Sequence, residues 1–351
     1  MKVIVPCAGS SSRYPNVPPK WTLPSPDGRP MVVRAVEQLD FDLSDIVITI
    51  LQEHEQRYDA VVGLQRAFGR KIEIVVLKEQ TASQPATVAE TLRNTGLDEP
   101  FLVKDSDNCF KLSELNQAYN YVSVASLNEF DQINPRNKSY VQVDENDVLT
   151  AIREKTVISD LFSVGGYFFR SPKEYLSMFE RLQAERTKWQ HELYISDVIG
   201  GLILQGSPFR ARRVTNYEDW GTIQEWRRAL LRRGAYFIQL DGFVFERGSE
   251  FFAPRFADVR ANPEAVRAVR HLVRDGHKIV FVSIRPSSCR EVTERQLAAL
   301  DLPTGHIVFD CPIARYWMVT SPHPTVPFTT SRARELDGAD PNLEEKLRHD
   351  D

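Results

Sequence analysis

An apolar run at the start of the chain leads into a loop of small residues that carries two cations. Residues 1–6 form the run, and Arg13 and Lys20 follow it. The loop residues are Cys7, Ala8, Gly9, Ser10, Ser11 and Ser12. Small residues let backbone N–H groups approach a phosphate, and they stand where open α/β sheets bind ligands, at the carboxyl end of a strand. The segment therefore predicts a polyphosphate site, and a plain turn is the alternative.

Four later segments follow this loop in an order that resembles a known family. They are Lys104-Asp-Ser-Asp107-Asn108, Glu154-Lys155, Ser163-Val-Gly-Gly166-Tyr167-Phe168 and Tyr217-Glu-Asp219-Trp-Gly221-Thr222. Through roughly its first 230 residues the chain thereby resembles the sugar-phosphate nucleotidylyltransferases. Each motif alone is weak, but the ordered set is fairly specific. Ser11, Ser106 and Ile223 stand where that family usually has glycine, glycine and proline, so the exact substrate stays open.

The resemblance implies a reaction and the residues that carry it. The reaction is transfer of a nucleoside monophosphate from a nucleoside triphosphate to a phosphorylated small molecule such as a sugar 1-phosphate, with release of pyrophosphate. Arg13, Lys20 and Asp107 would be catalytic, chiefly by positioning and by neutralising charge. Asp107 and Asp219 would bind Mg²⁺, which prefers carboxylate oxygens. A strand-end turn for Asp107 and a helix N-terminus for Asp219 are the alternatives, and Asp105 competes with Asp107 as the ligand.

The same resemblance implies two binding regions. In the acceptor region, Lys155 would bind the phosphate, Glu154 would accept hydrogen bonds from hydroxyl groups, and Gly166 would let the backbone approach. A solvated strand edge and a β-bulge are the alternatives. The nucleotide would be bound by the small-residue loop and by three polar side chains, Gln80, Gln84 and Thr87. Amides suit a base edge because they both donate and accept hydrogen bonds, although these residues could also belong to a polar loop that caps a helix.

Periodic patterns predict the elements that must position these residues. Apolar strands at 45–51, 72–77 and 100–104 alternate with helical patterns at 53–68 and 86–93, which predicts parallel βαβ units. A hairpin at 140–153, a strand at 161–169 and helices at 173–185, 192–204 and 223–233 follow. We therefore predict an α/β domain over residues 1–234. The resemblance implies that it is a Rossmann-like mixed sheet with helices on both faces.

Residues 235–330 predict a second, smaller α/β domain. Its first strand ends in Gln239-Leu-Asp241-Gly242, and a second strand at 277–282 leads into Ser283-Ile-Arg285-Pro286. Both segments resemble motifs of the haloacid dehalogenase (HAD) superfamily, which transfers phosphate through an aspartate nucleophile. Gln239 occupies the nucleophile position, and an amide cannot form an aspartyl phosphate. Residues 306–321, where that family has a lysine and an acidic pair, contain neither in convincing form, so we expect a HAD-like fold without phosphatase activity.

Composition limits the partners and the compartment. A net charge of −4 with interspersed signs argues against a nucleic-acid partner. Four cysteines without C-x-x-C spacing indicate neither a zinc site nor a disulfide framework. The chain has no apolar run long enough to span a membrane and no signal-peptide pattern, so we expect a cytoplasmic protein without a membrane partner. Residues 331–351 are charged and poor in apolar residues, which predicts a loosely ordered tail. A homo-oligomer is left open.

Three functions compete at this point. The first is a nucleotidylyltransferase that makes surface-glycan or capsule precursors, a role that such a domain fusion suggests. The second is a bifunctional nucleotidyltransferase and phosphatase, against which Gln239 argues. The third is a non-catalytic regulator that binds a nucleotide sugar, against which the set of Arg13, Lys20, Asp107 and Asp219 argues. The base and the acceptor are not determined by the sequence.

Overall fold

The computed structural model describes residues 1–9, 18–69, 72–112, 117–130, 134–185, 192–232, 234–247, 256–312, 318–319 and 333–348. The chain divides into two compact units, Met1–Trp226 and Arg227–Asp351. None of the helices in these ranges is long and apolar enough to cross a membrane.

A mixed sheet forms the centre of the first unit. Its nine strands within the described ranges are β1 (Lys2–Pro6), β2 (Ile46–Leu51), β3 (Glu73–Leu77), β4 (Phe101–Lys104), β6 (Asn120–Ser126), β7 (Ser139–Val143), β8 (Leu149–Glu154), β9 (Leu161–Phe169) and β10 (Phe209–Arg213). The order is β10-β6-β9-β4-β1-β2-β3, and the hairpin of β7 and β8 joins through β9. Strands β1 to β4 are parallel, whereas β9 runs antiparallel to both β4 and β6.

A separate ribbon of two short strands stands apart from this sheet. Strand β5 (Asn108–Lys111) pairs antiparallel with β11 (Thr215–Asp219). The pairing joins segments that are about a hundred residues apart in the sequence. Of the two aspartates predicted to bind Mg²⁺, Asp219 ends β11 and Asp107 directly precedes β5.

Helices cover both faces of the large sheet. They are α1 (Met31–Glu37), α2 (Gln52–Tyr58), α3 (Ala60–Ala67), α4 (Gln84–Thr95), α5 (Pro172–Ala184) and α6 (Ile195–Leu204). A further helix, α7 (Ile223–Arg232), includes the boundary between the two units in the sequence. Side chains of β1 alternate between two cores: Val3 and Val5 pack with α1 and α3, while Ile4 packs with α4, α5 and α6. A strand buried on both faces in this way has apolar residues at consecutive positions, as β1 and β2 do.

The predicted α/β fold with a mixed sheet and helices on both faces is therefore confirmed, with local differences. The helix predicted over 53–68 is two helices, because Asp59 has a left-handed backbone (φ 51°) that ends α2 and precedes α3. Strands β6 and β10 were not predicted, although β6 is an apolar and small-residue run buried along its whole length. The hairpin of β7 and β8 agrees with the prediction to within one residue at each end.

The second unit contains a three-stranded parallel sheet. The order is β12 (Ala235–Gln239), β13 (Lys278–Val282) and β14 (Ile307–Val308). Helix α8 (Pro263–Arg274) connects the first two strands, and α9 (Arg290–Ala299) the last two. Val266 and Val269 of α8 and Leu297 of α9 pack on Ile279 and Phe281 of the sheet.

The predicted loose tail is not what the described part of it shows. Residues 343–348 form helix α10, and Leu343 is fully buried against Ala265 and Ala268 of α8. Leu336 and Leu347 pack at the same place. A few apolar side chains at helical spacing are enough to dock a charged segment, and this is why the low apolar content of the tail was misleading.

Candidate functional site

A cavity of about 600 Å³ opens in the first unit beyond the carboxyl ends of β1 and β4. The predicted site residues that line it are Gly9, Lys20, Gln80, Gln84, Thr87, Asp107, Glu154, Lys155 and Asp219. They come from distant parts of the sequence, and the sheet brings them to one opening. Ser10, Ser11, Ser12 and Arg13 lie outside the described residues.

The ribbon of β5 and β11 places the two predicted metal ligands side by side. Asp219 is opposite Asn108 in the ladder, and the backbone N–H of Trp220 donates to the carbonyl of Asp107 at 2.8 Å. Asp107, in the turn directly before β5, and Asp219, at the end of β11, therefore line the same cavity. Mg²⁺ is usually held by one or two carboxylates together with substrate phosphates, so this donor set fits the ion. Among the described residues there is no group of three or more His, Cys, Asp or Glu side chains that could hold a metal by themselves.

Each of these carboxylates also forms an ion pair with a lysine. Lys20 pairs with Oδ2 of Asp107, and Lys138 pairs with Oδ2 of Asp219. Oδ1 of Asp219 accepts a hydrogen bond from the backbone N–H of Gly221 at 2.9 Å. Lys138 is not among the residues predicted for the site, because one lysine before a strand normally indicates an exposed charge. Here it is buried, with 8% of its surface exposed.

The turn between β4 and β5 is built around a second buried lysine. Lys104 Nζ donates to the Asp105 carbonyl at 2.7 Å, to the Asn108 carbonyl at 2.8 Å and to Asn108 Oδ1 at 2.6 Å. Burial lowers the pKa of Lys104 to about 8. Its hydrogen bonds close the turn that carries Asp107.

Asp105 and Asp107 have different surroundings. Asp105 accepts a hydrogen bond from Gln84 Nε2 at 2.5 Å, and its Oδ2 lies against the backbone of Gly165. Burial, followed by the charge of Asp107, raises the pKa of Asp105 to about 6. Asp107 instead forms an ion pair with Lys20 and lies in the turn directly before the ribbon. Both aspartates line the cavity. Asp105 is thus held by Gln84 and by the backbone of Gly165, and Asp107 by Lys20.

The acceptor region predicted from the sequence is a continuous part of the cavity wall. Glu154 Oε2 accepts hydrogen bonds from the hydroxyls of Ser139 and Ser196. Lys155 has a left-handed backbone (φ 54°), and its Nζ donates to the Tyr194 hydroxyl at 2.7 Å. A carboxylate between hydroxyls beside an ammonium suits a ligand that carries both hydroxyl groups and a phosphate.

The predicted base-reading residues are partly engaged within the protein. The amide nitrogen of Gln84 donates to Asp105, and the hydroxyls of Thr87 and Thr81 are 2.5 Å apart. Ser83, in the same segment, caps α4 by accepting from the Ala86 N–H at 3.4 Å, and it also lines the cavity. Gln80 is exposed beside the cavity.

Two residues predicted for the site do not line the cavity. Ala8 is fully buried with Val47, Leu51, Val75 and Leu77, because its side chain points into the sheet core. A side chain at Gly166 would point toward Phe110 and Ser123 and away from the cavity. Its neighbour Gly165 lines the cavity instead. Strand side chains alternate between faces, so only one of two consecutive glycines can face the site.

Asp241 of the second unit forms a buried ion pair. Asp241 accepts hydrogen bonds from Ser283 Oγ at 2.6 Å and from Arg285 Nε at 2.7 Å. Arg285 is fully buried and also donates to Gln296 Oε1 at 2.7 Å. Asp310, after β14, accepts from the Ser287 N–H at 3.1 Å. These carboxylates are occupied by protein groups, while Gln239 is exposed at the strand end.

Comparisons with solved structures agree on the fold of the first unit. A nucleoside-diphosphate-sugar pyrophosphorylase from Vibrio cholerae RC9 is 21% identical with a TM-score of 0.55, and the match covers 65% of this chain and 99% of that one. A UDP-glucose pyrophosphorylase complexed with UDP-glucose is 15% identical with a TM-score of 0.51, covering 66% and 97%. No protein-family model and no curated protein sequence matches the chain. The likeness shows the fold of the N-terminal part and gives no counterpart for the second unit.

Proposed function

We propose that the protein is a nucleotidylyltransferase that joins a nucleoside monophosphate to a phosphorylated small molecule. The observation that carries this proposal is the cavity that two Lys–Asp ion pairs and the Glu154–Lys155 pair line together. A cavity lined by three lysines and by a carboxylate that accepts hydrogen bonds from hydroxyls suits two anionic substrates bound together. The shared fold of pyrophosphorylases supports the same reaction class.

The proposed step is an in-line displacement at phosphorus. An oxygen of the acceptor phosphate forms a bond to the α-phosphorus, and the bond from this phosphorus to the oxygen that bridges to the β-phosphate breaks. Pyrophosphate leaves with the bonding electrons. The attacking oxygen is already anionic, so no general base is needed, and the protein contributes orientation and charge neutralisation.

Each group in the cavity has a defined task in this proposal. Lys20 binds triphosphate oxygens and stabilises the charge that develops on the leaving pyrophosphate. Lys155 holds the acceptor phosphate, while Glu154 with Ser139 and Ser196 orients its hydroxyls. Asp107 and Asp219 hold Mg²⁺, which supplies further neutralisation of the triphosphate when bound.

The acceptor proposed is a sugar 1-phosphate, and the product would serve synthesis of surface glycans. Support comes from the Glu154 carboxylate, which already receives two serine hydroxyls and so matches the hydrogen bonds of a sugar diol. The test is a panel of four nucleoside triphosphates against several sugar 1-phosphates and non-sugar phosphate esters, scored by pyrophosphate release. Release that needs a sugar 1-phosphate supports the proposal. Release only with a non-sugar ester would change the acceptor, and binding of nucleotide sugars with no release in any combination would favour the regulator.

Lys20→Ala is expected to lower kcat more than it raises KM. Its ammonium opposes charge that grows on the leaving group, so the interaction is stronger in the transition state than in the ground state. Steady-state kinetics on the active substrate pair measure both constants. A raised KM with an unchanged kcat would make Lys20 a uniform binding contact.

The second unit is expected to show no Mg²⁺-dependent phosphatase activity, either on generic phosphate esters or on the substrates of the first unit. Gln239→Asp is expected not to create phosphatase activity. Asp241 would still be bound by Arg285 and Ser283, and Asp310 would still accept from the Ser287 N–H. Phosphate release by the purified protein is the measurement. Release by the wild type that is lost in Asp241→Asn and kept in Asp107→Asn would instead make the protein bifunctional.

A further inference from the structure

Lys138 occupies an unusual position for a lysine. It follows a short 3-10 helix, Pro135–Asn137, and its side chain reaches into the cavity. Its Nζ pairs with Asp219 Oδ2 and lies 3.0 Å from the Tyr217 hydroxyl. It is also 5.5 Å from the ring centre of Tyr217 and 5.8 Å from that of Phe162. The ammonium is thus held by one charge, one hydroxyl and two aromatic rings.

The Lys138 ammonium pairs with the carboxylate oxygen of Asp219 that would bind a metal ion. Asp219 Oδ1 is engaged by the Gly221 N–H, so Oδ2 is the oxygen that the backbone leaves for a cation. A lysine ammonium and a divalent cation repel each other, and in a partly buried site this repulsion is weakly screened. Lys138 and a metal ion on Oδ2 would therefore compete for Asp219.

The Lys138 side chain is long and flexible enough for its ammonium to move from Asp219 to a phosphate oxygen in the cavity. Lysine carries three donors on a four-carbon stem and binds phosphate as a point charge. Lys138 lines the same cavity as Lys20 and Lys155. A triphosphate that enters this cavity presents anionic oxygens to an ammonium that is leaving Asp219.

We propose that Lys138 is an exchangeable cation: it neutralises Asp219 until a nucleotide and its metal ion enter, and it then moves to a phosphate oxygen of the nucleotide. The inference rests on the proposed function. It predicts opposite effects on two affinities, since removing the ammonium helps the bare metal and harms the nucleotide. If Lys138 only stabilised the position of β11, its removal would not change the metal affinity and the nucleotide affinity in opposite directions.

Lys138→Met tests the proposal, because methionine keeps much of the length of the side chain and deletes its charge. Binding of Mn²⁺ alone, measured by electron paramagnetic resonance, is expected to tighten by roughly tenfold, in line with the loss of one opposing charge. Binding of the nucleoside triphosphate, measured by calorimetry at saturating metal, is expected to weaken by a similar factor, about tenfold. Lys111→Met is the matched control, because Lys111 is exposed on the same ribbon, and both affinities should stay at the wild-type value.

Two further variants keep the proposal testable if methionine disturbs folding. Lys138→Arg retains a cation, and its Mn²⁺ affinity should stay near that of the wild type. Tyr217→Phe deletes only the hydroxyl beside Nζ and should tighten Mn²⁺ binding less than methionine does. Unchanged or weaker Mn²⁺ binding in Lys138→Met, with its thermal unfolding near that of the wild type, would overturn the proposal. The metal arm needs no substrate turnover, so a failure of the proposed transferase reaction would be seen separately.

Discussion

Asp107→Asn and Asp219→Asn are each expected to lower kcat by ~10²–10³, the usual cost of one electrostatic contact that is made in the transition state. The asparagine side chain keeps the shape but loses the charge that would hold Mg²⁺. The effect should appear in pyrophosphate release at saturating Mg²⁺ and substrates. Asp98→Asn is the matched control, since Asp98 pairs with Lys173 on the surface, and removing an exposed pair costs little.

In Asp219→Asn, loss of the ion pair with Lys138 lowers stability in addition to any effect on metal binding. A double variant separates the two effects. Asp219→Asn leaves the buried ammonium of Lys138 without its carboxylate, which costs stability independently of any metal. The double variant Asp219→Asn with Lys138→Met removes both charges, so thermal unfolding should recover toward the wild type. Turnover should stay low. If turnover recovered together with stability, the role of Asp219 would be structural and the metal assignment would be wrong.

Local patterns were enough to predict most of the large sheet. Strands such as β2 are continuous apolar runs, and the turn at 145–147 defines the hairpin of β7 and β8 without help from the rest of the chain. The break at Asp59 was not predictable in this way. Neither glycine nor proline marks it, and only the packing of α2 and α3 against the sheet shows that the chain turns there.

The site was predicted less completely because its contacts are long-range. The ordered motifs gave Lys20, Asp107, Glu154, Lys155 and Asp219, and all five line one cavity. Their catalytic and binding roles stay predictions. The motifs could not show that β5 and β11 would pair, since two short strands about a hundred residues apart have no mutual signal in one sequence.

The burial of two lysines could not be predicted from the sequence. Lys104 is fully buried and Lys138 nearly so, yet lysine is normally an exposed residue. Their burial depends on partners that the fold supplies: two carbonyls and an amide for Lys104, and a carboxylate with a tyrosine for Lys138. A strand that contains a lysine beside apolar residues, as β4 does, is the only local sign of such a position.

Gly165→Ala is expected to destabilise the fold and to abolish most of the activity. Gly165 has a left-handed backbone (φ 78°), where a side chain costs roughly 1–2 kcal/mol. An added β-carbon would also fall on Oδ2 of Asp105 and lie 2.7 Å from Asn108 Nδ2. Overpacking of this kind costs about 1–3 kcal/mol, so the free energy of unfolding should fall by a few kcal/mol in urea denaturation.

The loss of activity should exceed what the loss of stability explains, and this is what makes Gly165 informative. Asp105 and Asn108 flank Asp107 in the turn that Lys104 closes, so a shift of either moves the candidate metal ligand. Gly200→Ala is the control, because its β-carbon would meet only Ile152 Cγ2 at 3.7 Å, and alanine within a helix should add about 0.5–1 kcal/mol of stability. Pyrophosphate release measured well below the unfolding midpoint of both variants separates geometry from stability. If Gly165→Ala turned over at the wild-type rate there, the position of Asp107 would not depend on the turn, and its assignment as a metal ligand would lose its structural support.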